Sequence, residues 1–155
     1  MSIREEYLYL TNSGKDNKEA IERLAEIIAL LRHECPWDKV QTHETLRKGM
    51  IEEAYEVVEA INNKDMANLR EELGDVLLQV VFHADLAKEE REFDLKDIIN
   101  EECEKMIRRH PHVFLQETQN NSTKSIDKVL EKWENIKVQE RGDKRVTSRM
   151  EKVPK

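Results

Sequence analysis

Apolar side chains recur every three or four positions along most of this 155-residue chain, the spacing of helices with one buried face. Five such stretches lie at about 17–33, 42–61, 65–90, 94–109 and 125–141. Asp16, Thr42 and Asp65 precede three of them as predicted N-caps, and Asp16 is expected to form a capping box with Glu19. The pattern predicts an all-α fold, a helical bundle.

The second and third predicted helices are joined by residues 62–64 alone, so we expect them to pack as antiparallel neighbours. Their buried stripes are predicted from helical spacing: Leu46, Met50, Ala54, Val57 and Ile61 on one, and Leu69, Leu73, Val76, Val80, Ala84 and Ala87 on the other.

The third helix is apolar on nearly every side between Val76 and Leu86, and such a helix must be covered all round. Leu78, Val81 and Phe82 are therefore predicted to face a second subunit. A fully central helix in a monomer is the alternative.

The remaining segments are polar or contain helix breakers. Residues 1–16 are predicted to be an N-terminal extension, 17–141 the domain, and 142–155 a flexible tail or the start of a linker. Pro36 is expected to end the first helix and open a loop through Gln41, and 115–123 is predicted to be loop.

Composition narrows the class of protein. With four glycines and three prolines, the chain lacks the turns that a β-sandwich or barrel needs every ~8–12 residues. Thirty-three acidic residues against 26 basic ones give a net charge of −7, which argues against a general nucleic-acid or membrane-surface binder. No apolar run is long enough to span a membrane and no signal-peptide core is present, so a cytoplasmic protein is expected, with Cys35 and Cys103 as reduced thiols.

Two acid pairs at i and i+3 flank the buried stripes of the second and third helices. At 100° per residue, Glu53 and Glu56 lie about 60° and 120° to one side of their stripe, and Glu72 and Asp75 lie similarly on theirs. Acids converging this way repel unless a cation sits among them, and an all-oxygen cluster selects Mg²⁺ or Mn²⁺. Solvated acidic faces are the alternative in so acidic a chain.

The sequence does not contain the residues that several other kinds of catalytic site require. A di-iron bundle needs Glu-x-x-His pairs, and none of the five histidines has a glutamate three residues before it. The chain has neither a Gly-x-Ser-x-Gly nucleophile motif nor a glycine-rich phosphate loop.

Several segments resemble the MazG family of nucleoside triphosphate pyrophosphohydrolases. The acid motif is Glu53-x-x-Glu56, then 15 residues, then Glu72-x-x-Asp75. Further similar segments, in register over about 17–141, are Cys35–Lys39, Gln41–His43, Glu71–His83, Arg108–Phe114 and Trp133–Lys137.

The resemblance implies an all-α enzyme that dimerises, as a homodimer or higher homo-oligomer, and hydrolyses nucleoside triphosphates, ribo or deoxy, to monophosphate and pyrophosphate by metal-activated water at the α–β bridge. It implies that Glu53, Glu56, Glu72 and Asp75 are the catalytic magnesium ligands, with Glu52 beside them or at a second ion. The substrate-binding residues that it implies are Lys39, Lys105, Arg109, Trp133 and Lys137. Core packing is an alternative role for Trp37 and Trp133.

Two further functions stay open. Larger family members carry two tandem domains and this chain has one, so it is alternatively a catalytically weak helical dimer or interaction domain. The other alternative is a narrow housecleaning enzyme for deoxyuridine or damaged nucleotides.

Overall fold

The computed structural model describes residues 1–116 and 125–143, and within these it is helical without a strand. A 3₁₀-helix spans Glu5–Thr11, and the α-helices are α1 (Asn17–Glu34), α2 (Pro36–Lys39), α3 (His43–Asn62), α4 (Met66–Glu89), α5 (Leu95–Arg109), α6 (Pro111–Phe114) and α7 (Ile126–Asp143). The predicted all-α class is confirmed. None of these helices has the length and apolar character that crossing a membrane requires.

The chain divides into two compact units, Met1–Ile98 and Ile99–Lys155. The predicted tail at 142–155 and the predicted loop at 115–123 fall largely outside the described residues. The domain boundaries inferred from sequence stay a prediction.

Local side-chain bonds start the helices where the sequence predicts. The Thr42 hydroxyl accepts from the Thr45 amide at 3.2 Å, and the Thr45 hydroxyl accepts from the Thr42 amide at 2.8 Å, closing a capping box. Asp65 caps α4. Asp16 caps α1 through the Glu19 amide, but the Glu19 carboxylate bonds the Lys15 amide instead of returning to Asp16.

The core of the first unit lies where α1, α3 and α4 meet. Its buried members are Ile28, Leu46, Val81, Phe82 and Leu86. Helices α3 and α4 run antiparallel, since His43 lies beside His83 at one end and Glu56 beside Glu72 at the other. The short 62–64 connection therefore produces the pairing that it predicts.

The prediction that Leu78, Val81 and Phe82 face a second subunit is wrong. Val81 and Phe82 are 2% and 4% exposed within one chain, and Leu78 packs against the same core. Helix α1 begins beside Leu77 and ends where Arg32 meets Glu89, so it covers the C-terminal half of α4.

Three residues placed on the predicted buried stripes are exposed instead: Ala54, Ile61 and Leu73. Leu73 lies before the point where α1 reaches α4, so no helix of the first unit covers it. Ala54 and Ile61 lie on the same uncovered side of the α3–α4 pair.

Two segments outside the five predicted helices contain short helices. In the 1–16 extension, Leu10 is buried and its carbonyl accepts from Arg23 Nε of α1 at 2.7 Å. In the predicted loop, Pro36 is the first residue of the short helix α2, a position where its missing N–H costs nothing.

Arg32 fixes the segment that follows α2. Its Nη1 donates to the carbonyls of Asp38, Lys39 and Gln41 at 2.6, 2.6 and 3.0 Å. Its Nε and Nη2 bind both oxygens of Glu89 at 2.9 and 3.2 Å. The Arg32 guanidinium thus links residues 38–41 to α1, which carries it, and to α4, which carries Glu89.

Candidate functional site

Three glutamates of α3 and α4 converge because the two helices are antiparallel and the acids lie on the same side of the contact. Glu53, Glu56 and Glu72 each place a carboxylate oxygen within 4.8 Å of the other two. Asp75, one turn after Glu72, acts electrostatically on both Glu53 and Glu72. The structure therefore brings together the acids that the spacing singled out; their roles stay a proposal.

The proximity of these acids changes their pKa values. Partial burial, followed by repulsion from Glu56 and Asp75, raises the pKa of Glu53. Partial burial, a hydrogen bond with Glu56 and the nearby carboxylates raise the pKa of Glu72 to about 7. Negative oxygens held this close fit a hard divalent cation, which would relieve the repulsion.

Glu52 is not brought into this cluster. Its side chain is 57% exposed and pairs with Lys48, one turn earlier on α3, at 3.3 Å. Its charge reaches the cluster only as a minor repulsion that contributes to the raised pKa of Glu53.

In the second unit, Arg109 and Trp133 lie together. The guanidinium carbon of Arg109 is 5.3 Å from the centre of the Trp133 ring, and His110 meets the same indole edge-on with ring centres 4.9 Å apart. Glu140 binds the Arg109 guanidinium through Nη2 at 2.9 Å and Nε at 3.3 Å.

The three predicted lysines are placed separately. Lys105 pairs with Glu102, and Lys137 pairs with Glu134 at 3.3 Å. Lys39 is exposed at the end of α2, in the first unit. Trp37, also on α2, is 63% exposed, so a core role for it is wrong; Trp133 is partly buried.

Sequence reasoning missed Glu140 and the pair His43–His83. Glu140 lies seven residues after Trp133 and three after Lys137, a spacing that places all three on one helical face and was available from sequence. The His43 and His83 Nδ1 atoms lie 2.7 Å apart in rings inclined by 3°, and no local pattern links residues 40 positions apart.

Comparison with known proteins identifies similar sequences and similar solved structures. The family model of the MazG nucleotide pyrophosphohydrolase domain matches residues 41–114. That span contains the four acids, Lys105 and Arg109, and it ends before Trp133 and Lys137.

The curated relatives are longer than this chain. The nucleoside triphosphate pyrophosphohydrolase of Escherichia coli (strain K12) is 45% identical over 138 residues, 87% of this chain and 51% of that protein. The nucleoside triphosphate pyrophosphohydrolase/pyrophosphatase MazG of Thermotoga maritima is 48% identical over 126 residues, 80% of this chain and 46% of that protein. The chain thus spans about half the length of these relatives.

The structural match covers nearly all of its counterpart. The crystal structure of a mazG-related protein from Thermotoga maritima aligns with a TM-score of 0.62 and 34% identity, over 76% of this chain and 98% of that one.

Proposed function

Because the chain belongs to the MazG family, we propose that it hydrolyses nucleoside triphosphates to a monophosphate and pyrophosphate with a divalent cation, Mg²⁺ or alternatively Mn²⁺. The observation that carries this proposal is the convergence of Glu53, Glu56 and Glu72 within 4.8 Å. Mutual repulsion opposes such a set when all three carboxylates are ionised, and a bound cation would relieve it.

The acids would hold the cation, and the basic residues would bind the phosphates. Glu53, Glu56, Glu72 and Asp75 are the proposed ligands; a bound Mg²⁺ neutralises phosphate charge and lowers the pKa of water. Glu53 or Glu56 would orient or deprotonate the attacking water at the α–β bridge. The proposed phosphate and nucleotide contacts are Lys39, Lys105, Arg109, Trp133 and Lys137.

The test is pyrophosphate release by purified protein from a panel of ribo- and deoxynucleoside triphosphates, with MgCl₂ or with EDTA. Magnesium-dependent release supports the proposal. Release confined to deoxyuridine or damaged nucleotides would identify the narrow housecleaning enzyme. Nucleotide binding without turnover by a folded sample would favour the interaction domain instead.

The raised pKa of Glu72 predicts how metal-free stability depends on pH. This pKa is about 7 in the folded chain against a usual 4.5, so the folded state holds its proton more tightly. Stability contributed by the protonated carboxyl is present below about pH 4.5 and is lost as pH rises to about 7. Thermal unfolding in EDTA should therefore show this loss, and Mg²⁺ should raise Tm more at about pH 8 than at about pH 5.

Glu72→Gln isolates this effect, because the amide does not titrate. The lowered pKa of the partly buried His83 makes stability fall with decreasing pH, and subtracting the variant's profile from the parent's removes that contribution. An unchanged pH profile in Glu72→Gln, with the full Mg²⁺ response, would contradict the proposed role of Glu72.

We also propose that a second copy covers the apolar side of the α3–α4 pair. Large apolar side chains, each over 40% exposed, line this side: Ile51, Tyr55, Val58, Ile61, Met66, Leu73 and Leu77. On α3 they lie on the opposite flank from the acids. Large exposed apolar patches mark interaction sites on protein surfaces, and a twofold repeat of one antiparallel helix pair makes a four-helix bundle.

Val58→Asp should convert a dimer to a monomer, because it would bury a charge in that interface. Size-exclusion chromatography with light scattering measures the mass against the 18.4 kDa chain. Val40→Asp, at an exposed apolar residue on a different segment, is the matched control and should stay dimeric. A parent protein of monomer mass, or a dimeric Val58→Asp, contradicts the proposed interface.

A further inference from the structure

Glu140 of α7 binds two consecutive arginines at the end of α5, and we propose that it is a positioning residue for Arg109. The inference rests on the proposed function, in which Arg109 binds substrate phosphates. One oxygen of Glu140 accepts from Arg109 Nη2 at 2.9 Å and Nε at 3.3 Å, and the other accepts from Arg108 Nε at 2.5 Å.

The two arginines are held to different degrees. The side chains of Glu140 and Arg109 are each 18% exposed, whereas that of Arg108 is 49% exposed. Arg109 also contacts an aromatic ring, with its guanidinium carbon 5.3 Å from the centre of Trp133. Glu140 and Trp133 together therefore restrict the rotamers of Arg109, and Arg108 serves as a solvent-facing comparison.

Donor geometry leaves Arg109 able to bind an anion. A guanidinium has five N–H groups, and Glu140 engages Nε and one N–H of Nη2. The two N–H groups of Nη1 point away from the edge that Glu140 occupies. The two arginines and one carboxylate carry a net charge of about +1, so the group still attracts phosphate.

The charge state of Glu140 suits this role. Hydrogen bonds from Arg109 and Arg108 lower the pKa of Glu140, so it remains ionised at neutral pH. A long side chain fixed before substrate arrives loses less conformational entropy on binding. If Glu140 instead competed with phosphate for Arg109, removing it would strengthen substrate binding, which is the opposite outcome.

Kinetics of Glu140→Ala with ATP and Mg²⁺ separate these outcomes. We expect kcat/KM to fall roughly tenfold, mainly through a higher KM, with partial rescue in Glu140→Asp. In an Arg109→Ala background, Glu140→Ala should cause no further loss, because the carboxylate acts through that arginine. In an Arg108→Ala background the loss should persist. A lower KM, a change under twofold, or an additive loss with Arg109→Ala overturns the inference.

A spectroscopic readout tests the contact without turnover. The chain has two tryptophans, so Trp37→Phe leaves Trp133 as the one tryptophan whose emission is measured. In that background Glu140→Ala should change Trp133 emission. Glu140→Gln, which is nearly isosteric with the parent residue, is the second variant if Glu140→Ala does not fold. Binding of inorganic tripolyphosphate, measured by calorimetry, should weaken in Glu140→Ala.

These measurements keep the two proposals distinguishable. If the parent protein releases no pyrophosphate, the proposed function fails, while tripolyphosphate affinity and Trp133 emission still decide the role of Glu140. Emission and affinity that are both unchanged in Glu140→Ala overturn the inference whatever the activity.

Discussion

Glu72→Gln is expected to reduce Mg²⁺-dependent pyrophosphate release by about a hundredfold or more. Replacing a residue that only hydrogen-bonds to a metal ligand already lowers metal affinity or activity by about 10–100-fold. Glu72 is central to the acid cluster: its carboxylate approaches Glu53 and Glu56 within 4.8 Å, and its pKa is raised to about 7. The amide keeps the shape of the side chain while removing the charge that a cation requires. The measurement is initial rate with saturating MgCl₂.

Glu71→Gln is the matched control, because Glu71 is the preceding residue of α4, exposed on the outer side. It should keep the parental rate. A loss of fold does not explain the expected result, since removing a repelled charge should leave Glu72→Gln at least as stable as the parent in EDTA near pH 8. A folded Glu72→Gln variant that retains the rate within about threefold would refute the metal assignment.

Arg32→Met is expected to lower the free energy of unfolding by about 3 kcal/mol, or Tm by roughly 6–12 °C. Arg32 is largely buried, with a side chain 14% exposed. Its Nη1 is a shared donor to three backbone carbonyls of residues 38–41. Methionine fills the volume but donates nothing, so these carbonyls lose the hydrogen bonds that they accept from Arg32.

Two variants separate the hydrogen bonds of Arg32 from its ion pair. Glu89→Gln removes the charge of a partner that is 45% exposed, and such a pair contributes about 0–1 kcal/mol. Arg32→Lys keeps the charge but lacks the planar set of donors, so it should resemble Arg32→Met. Chemical denaturation measures all three. A loss in Glu89→Gln as large as that in Arg32→Met would show that the ion pair, not the carbonyl contact, stabilises this segment.

Helix positions and one pairing were predictable because their causes are local. Thr42 and Asp65 cap helices through amides three residues away. A connection of three residues between α3 and α4 is short enough to require that the two helices pack antiparallel. The acid cluster followed from these two facts and the 100° helical step. The loop predicted from Pro36 is largely helix instead, because the proline that cannot continue α1 is the first residue of the short helix α2.

The helices, the α3–α4 pair and the acids on its flank could therefore be predicted from the sequence, because interactions within a few residues set all of them. Tertiary structure alone decided which apolar residues are covered, because the register of α1 on α4 buries Val81 and Phe82 and leaves Leu73 exposed. It also decided the contacts of Arg32 and Arg109, whose partners Glu89 and Glu140 lie 57 and 31 positions away. Packing sets such distances, and no periodicity along the chain encodes them.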